Sequence, residues 1–258
     1  MRRILLAATL VVMAVMTVAP VAVTGCKPHG GNLNNPAFAD TKTSFEIHER
    51  LEALIDQQKD SKQDREDAYA LVKQRTGTTP EDLFARAAIA GRLAENRGLQ
   101  AMGLVTEAED FARRCRAIEP DFREGAATRL LGSLYVLAPA NLVKHGDSET
   151  GLELLEQEVQ GHPERLVSRL RLAEAYIALN DPDPSREHLC VAKQGQDRLA
   201  AADKRLLARL LTDVGELKCG SPETTSPPPD KTGDDKPGAD KPGDDKPAAP
   251  APPALSPM

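Results

Sequence analysis

The side chains in this 258-residue sequence that are best suited to chemistry are four cysteines and five histidines. They are Cys26, Cys115, Cys190, Cys219, His29, His48, His145, His162 and His188. None has the His-Glu-x-x-His or Cys-x-x-Cys spacing of common zinc sites. His188 and Cys190 are two residues apart and would point in different directions on a helix, so no metal site is predicted. No thiol has a histidine or an acid in register, so we predict no catalytic residue and no cofactor.

The residues around Cys26 predict a different chemistry, the covalent attachment of lipid. Arg2 and Arg3 precede an uncharged apolar run over 4–23, and the small residues of VTGC lead to Cys26. This order is typical of a secretory signal, and its end resembles a bacterial lipobox. We therefore expect 1–25 to be a signal peptide and Cys26 to carry diacylglycerol. The alternative is an uncleaved membrane anchor, because about 20 apolar residues can span a bilayer.

The composition of both flanks indicates segments without a core. Residues 26–43 are polar and non-periodic, which predicts a flexible tether. The residue after Cys26 is Lys27 rather than an aspartate, which favours attachment to the outer membrane, facing the periplasm. Residues 220–258 contain eleven of the 20 prolines and repeat Asp-Lys every five residues, which predicts a disordered tail. This tail would either act as an inert solubilising segment or reach through the envelope.

The cysteines after Cys26 offer a disulfide as well as plain packing. The periplasm permits disulfides, and a bond between Cys190 and Cys219 would tie a closing helix to the last repeat. Cys115 would then be an apolar filler between helices. Spacing alone leaves this pairing open, because it does not report interhelical geometry.

The folded middle, residues 44–219, has the punctuation and period of helices. Ser61 is followed three residues later by Asp64, and Thr79 precedes Pro80, both of which mark helix starts. Apolar residues recur at the helical period, and no stretch alternates as a strand would. The sequence therefore predicts an all-α fold. A net charge of −6 with mixed signs, 3% aromatic residues and no tryptophan argues against nucleic-acid binding.

Two segments repeat the helix pattern of a tetratricopeptide repeat. TRLLGSLY ends at Tyr135 and RLRLAEAY ends at Tyr176, each with a small residue three positions earlier, Gly132 or Ala173. The small residue lets a partner helix approach, and the tyrosine fills the gap one turn later. The two repeats are 41 residues apart, which is seven more than the tetratricopeptide period of about 34. A degenerate first unit over 80–120 and a capping helix over 201–217 complete the predicted helical-hairpin solenoid.

The segments 125–159 and 170–179 resemble the TatT family of tetratricopeptide-like lipoproteins, which are associated with TRAP transporters. The resemblance covers 80–217 and rests on a small-residue helix ending in tyrosine, a loop with Leu-Ala-Pro and Gly-Asp, and a following Leu-Glu-x-Leu helix. It implies a periplasmic solute-binding receptor as the partner, and homo-oligomers with apolar openings that could admit an apolar ligand. The sequence departs from the family in its missing tryptophan, its short first unit and its long tail.

The apolar loop at 136–143 is the candidate binding site within this resemblance, since loops are ordinarily polar. The side chains that we expect to contact a partner or ligand are Tyr135, Leu137, Pro139, Leu142 and Val143. An exposed apolar loop of this kind suits a partner contact. The alternative is that these residues fold back on neighbouring helices as local core.

The function expected from the sequence is that of a non-enzymatic, membrane-anchored periplasmic protein that binds a partner. The first alternative is an envelope-assembly or secretion scaffold, because a repeat fold alone does not choose a function. An envelope enzyme is a further alternative. It would need a polar cleft with paired acids, and no pair stands out among the solvated helix-face carboxylates.

Overall fold

The computed structural model describes residues 31–219, which form nine α-helices joined by short turns and contain no strand. The helices are α1 (Ser44–Asp56), α2 (Lys62–Lys73), α3 (Pro80–Ala94), α4 (Met102–Ile118), α5 (Ala126–Leu137), α6 (Ser148–Gly161), α7 (Leu166–Ala178), α8 (Pro182–Gln194) and α9 (Ala201–Val214). The predicted signal peptide, the lipid site at Cys26 and the tail at 220–258 lie outside the described residues. Within 31–219, no helix combines the length and the apolar character needed to cross a membrane.

Side-chain caps fix where several of these helices begin. The Ser61 hydroxyl accepts a hydrogen bond from the Asp64 amide, and the Asp64 carboxylate accepts one from the Ser61 amide, which forms a capping box. Thr79 caps α3, whose first residue is Pro80. The cap of α1 is Thr43, one residue before the serine that begins the helix. Each such cap stabilises its helix by about 1 kcal/mol.

The helices pack as consecutive antiparallel pairs, α3 with α4, α5 with α6, and α7 with α8. The pairing of α5 and α6 depends on glycine, since a Cβ at Gly132 would lie 2.6 Å from Leu155 Cγ and 3.0 Å from the Gly151 carbonyl oxygen. Helices α1 and α2 pack on α3, and α9 closes the array on α7 and α8 through a cluster that includes Leu206, Leu207 and Leu210. The predicted all-α helical-hairpin solenoid is confirmed.

The first helix of each pair lies on the inner side of the solenoid. Helices α1, α3, α5, α7 and α9 contact one another in this order, whereas α4, α6 and α8 contact mainly their own hairpin partner and the following helix. We call the exposed side of these five helices the inner face. The last helix, α9, also contacts the first, α1, so the array of helices closes. Arg205 donates hydrogen bonds to the carbonyl oxygens of Ile55 (2.8 Å) and Asp56 (2.9 Å). The Ala202 amide donates to the Asp56 carboxylate (2.8 Å). The sequence did not predict this closure.

The segment before α1 is part of the folded body, which corrects the flexible tether expected over 26–43. Phe38 is only 3% exposed and packs with Ile47 and Leu51 of α1. Asn35 donates to the Asp67 carboxylate over 2.7 Å, and the Asn32 backbone amide donates to the same carboxylate. One apolar side chain and one buried polar network therefore attach 31–43 to α1 and α2, so the tether prediction is wrong for these residues.

Candidate functional site

A buried carboxylate holds the loop between α5 and α6, the segment in which the sequence predicted a binding site. Glu109 on α4 is completely buried and accepts three hydrogen bonds, from Tyr135 Oη (3.0 Å), the Lys144 amide (2.9 Å) and the His145 amide (2.7 Å). Three donors offset the cost of removing a carboxylate from water. Burial, and then the bond to Glu109, raises the pKa of Tyr135. The loop is thus fixed to the body.

Most of the apolar candidates in this loop are structural. Tyr135 and Leu142 are both buried, and Leu142 packs with Ala101 and Val105 beside α4. Val143 is partly buried against the same cluster. The prediction that Tyr135 and Leu142 contact a partner is therefore wrong, because these side chains fold back as local core, which was the alternative reading of the loop.

Leu137 and Pro139 are the two candidates that remain exposed. They lie at what we call the turn edge, the side of the body where α3, α5 and α7 end and α4, α6 and α8 begin. Four large apolar side chains are markedly exposed among those that the structure describes. Met102 (54% exposed) and Leu137 (49%) lie along this edge, Leu33 (46%) lies beside α2, and Ile118 (59%) ends α4 at the opposite edge.

The inner face carries charged side chains that are held in ion pairs between helices. Arg92 of α3 binds both carboxylate oxygens of Glu52 on α1, each at 2.8 Å. Arg171 of α7 lies 2.9 Å from the Asp203 carboxylate on α9. Burial acts to raise the pKa of Glu52, but the hydrogen bonds and charge of Arg92 outweigh burial and hold that pKa below its usual value. The two ion pairs therefore fix these side chains in position.

His48 of α1 lies among aromatic rings at the start of the inner face. Its ring centroid is 5.5 Å from that of Phe45 and 5.3 Å from that of Phe84, and its Nδ1 is buried without a hydrogen-bond partner. Burial lowers the pKa of His48 to about 4, so the imidazole is neutral at pH 7. Protonation of this ring would place a charge in an apolar environment, which makes His48 a candidate for acid sensitivity.

The three cysteines within 31–219 are accounted for by structural roles. Cys190 of α8 and Cys219 form a disulfide with their Cα atoms 5.4 Å apart, the pairing that spacing left open. The bond attaches the segment after α9 to the last hairpin. Cys115 is buried, and burial raises the pKa of its thiol to about 11, so the reactive thiolate form is suppressed at neutral pH.

His188, the other half of the pair considered for metal binding, stacks on Tyr176 with a centroid distance of 6.1 Å and contacts Arg169 through Nδ1 at 3.2 Å. The part of the chain that the structure describes contains no cluster of three or more histidine, cysteine or acidic side chains placed to bind a metal ion.

Two functional features were missed by sequence reasoning. Glu109 interrupts an apolar stripe of Val105, Ala108, Ala112 and Cys115, and an acid on the buried face of a helix is a readable signal. The contact between Arg205 and the end of α1 spans 150 residues, and no local pattern reports it.

No protein-family model matches the sequence, and no curated protein matches it significantly.

Proposed function

We propose that this protein is a non-enzymatic, lipid-anchored helical-repeat protein of the cell envelope that binds a partner protein on its inner face. The observation that carries the proposal is the contact of α9 with α1, which fixes both ends of the helical array. A pre-organised surface loses little conformational entropy when a partner binds, which favours affinity. Solenoids of stacked helix pairs use their concave surfaces in this way.

The charges of the inner face favour a polar partner surface. The pairs Glu52–Arg92 and Arg171–Asp203 offer both signs of charge in fixed positions. Complementary charges contribute specificity and speed to association more than raw affinity. An apolar ligand is less favoured, because Tyr135 and Leu142 of the candidate loop are buried.

The envelope location is supported by two independent features of the chain. The lipobox-like sequence ending at Cys26 would anchor the protein by acyl chains, with the body on the periplasmic side of the outer membrane. The Cys190–Cys219 disulfide fits an oxidising compartment, because disulfides rarely persist in the cytosol. By its resemblance to the TatT family, the partner that we propose is a TRAP-type solute-binding receptor.

A photo-crosslinking amino acid at Gly91 tests the binding surface in intact cells. Helix α3 is covered by α1, α2, α4 and α5, so the open space beside Gly91 faces inwards. We expect this variant to capture a periplasmic solute-binding receptor, identified by mass spectrometry. The matched control is Gly161 at the end of the outer helix α6, where a side chain also meets no other atom within 4 Å.

The outcome at the two positions decides between the functions. A receptor captured at Gly91 and absent at Gly161 would support the transporter role. Secretion or outer-membrane assembly proteins captured at Gly91 would instead assign the same face to an envelope-assembly scaffold. If neither position captures a specific protein, partner binding on the inner face is refuted.

A further inference from the structure

The described chain begins beside the middle of α2. Gly31 lies directly against α2, because a Cβ at this position would overlap the Glu66 carbonyl oxygen and the Ala70 side chain. Asn32 and Asn35 are bound to Asp67 in the same helix. The start of the body is therefore fixed in place rather than free to swing.

The contacts of α2 connect this start to the turn edge. The Glu66 carboxylate lies 2.6 Å from Arg97, which stands between α3 and α4, five residues before Met102. Arg65, near the start of α2, donates to the Arg92 carbonyl oxygen (2.7 Å) at the end of α3. The beginning of α2, the end of α3 and the beginning of α4 thus lie side by side.

Two exposed apolar side chains, Met102 and Leu137, lie at this edge, and a third, Leu33, lies beside the first half of α2. Met102 and Leu137 flank one small core, in which Ala101 and Val105 pack with Leu142, with Ala138 beside them. Leu33 stands between the two asparagines that bind α2. Met102 and Leu137 therefore flank one core at the turn edge, and Leu33 lies beside α2, whose start reaches the same edge.

The chain length between Cys26 and Gly31 limits how far this edge can lie from a membrane. Gly31 is five positions after Cys26, and five steps of the chain span at most about 18 Å when fully extended. An acylated Cys26 lies at the bilayer surface, so Gly31 must stay within this distance of it. Ile118, at the other end of α4, lies about 24 Å from Met102 at 1.5 Å per residue.

We propose that the turn edge docks on the lipid bilayer, with Leu33, Met102 and Leu137 in contact with the membrane interface. This inference rests on the proposed acylation of Cys26, which supplies the attachment. Three side chains bury too little apolar area to recruit the protein on their own, so their contact orients a protein that the lipid already holds. The orientation leaves the inner face and the opposite edge accessible from the periplasm.

The test uses the full-length, acylated protein in phosphatidylcholine–phosphatidylglycerol vesicles that contain nitroxide-labelled lipid. An environment-sensitive fluorophore is attached at Met102→Cys, Leu137→Cys or, as the matched exposed control, Ile118→Cys. Labelling without reductant preserves the disulfide, and the parent protein checks that the buried Cys115 does not react. We expect several-fold stronger quenching by the lipid nitroxide at positions 102 and 137 than at 118.

Equal, weak quenching at all three positions in protein that stays on the vesicles would overturn the inference. The mass of the N-terminal peptide distinguishes the two ways of failing. Acylated protein without quenching refutes only the docking, whereas an unmodified Cys26 refutes the anchor in the proposed function and the docking with it. Copies of Leu137→Cys that crosslink to each other in detergent would assign the edge to self-association and also overturn the inference.

Discussion

Replacement of Glu109 should loosen the loop between α5 and α6, since its carboxylate accepts the hydrogen bonds that join that loop and Tyr135 to α4. In Glu109→Ala, the Tyr135 hydroxyl would lose its acceptor inside the core, which costs about 1–3 kcal/mol. Water can reach the amides of Lys144 and His145, so each should add about 1 kcal/mol or less. Removal of a buried carboxylate offsets part of this loss.

The expected decrease in the free energy of unfolding is about 2–4 kcal/mol for Glu109→Ala, measured by urea denaturation. Glu109→Gln should cost less. If the glutamine oxygen takes the place of Oε1, it still accepts the hydrogen bonds from Tyr135 and the His145 amide. Only the Lys144 amide then loses its acceptor, because it faces the glutamine NH₂ group. Hydrogen exchange at the Lys144 and His145 amides should accelerate in the alanine variant.

Glu153→Ala, at an exposed position on α6, is the matched control and should change the unfolding free energy by no more than about 0.5 kcal/mol. The explanation would be refuted by a Glu109→Ala protein of parental stability with unchanged exchange at both loop amides. That result would mean that the packing of Leu142 fixes the loop without the carboxylate.

Three further predictions address acid sensitivity, closure and the disulfide. Because the pKa of His48 falls from 6.5 to about 4 on folding, stability should decline as the pH drops from 6.5 towards 4, by up to about 3 kcal/mol. In urea titrations of His48→Gln, this part of the pH dependence of the unfolding free energy should be absent. An unchanged pH dependence between pH 6.5 and 4 in the variant would contradict the assignment to His48. Arg205→Ala should cost about 1–3 kcal/mol and accelerate amide exchange at the end of α1, whereas the exposed Lys204→Ala should not. Cys190→Ser should cost about 3.6 kcal/mol, since the bond closes a loop with a sequence separation of 29, and equal melting of oxidised parent and variant would count against this.

The repeat architecture was predictable because its determinants are local. Caps such as Ser61 and small residues such as Gly132 act within one helix or one hairpin, so spacing along the sequence reports them directly. The same holds for the division into hairpin units.

The features that were missed depend on contacts between distant parts of the chain. Composition predicted a tether over 26–43, but within 31–43 the Phe38 side chain and the Asn35 amide find partners on α1 and α2 that a polar composition does not reveal. The sequence did not show which apolar residues of the loop are buried and which are exposed. Leu142 is covered by α4, which belongs to a different hairpin, and local spacing does not report such a contact. The contact of Arg205 with α1 follows from the superhelical curvature, which no single repeat encodes.

Exchange of the two charges of one inner-face pair tests the central claim that this face binds the partner. In Glu52→Arg combined with Arg92→Glu, an ion pair between α1 and α3 can still form, and the charge pattern presented to a partner is reversed. The 3.0 Å pair between Arg92 and the exposed Glu95 is lost, which should lower stability only slightly. Affinity for the captured receptor, measured with purified proteins at low and moderate salt, should fall several-fold while helicity and melting temperature stay close to the parental values. Unchanged affinity in this folded variant would contradict recognition through the charges of the inner face.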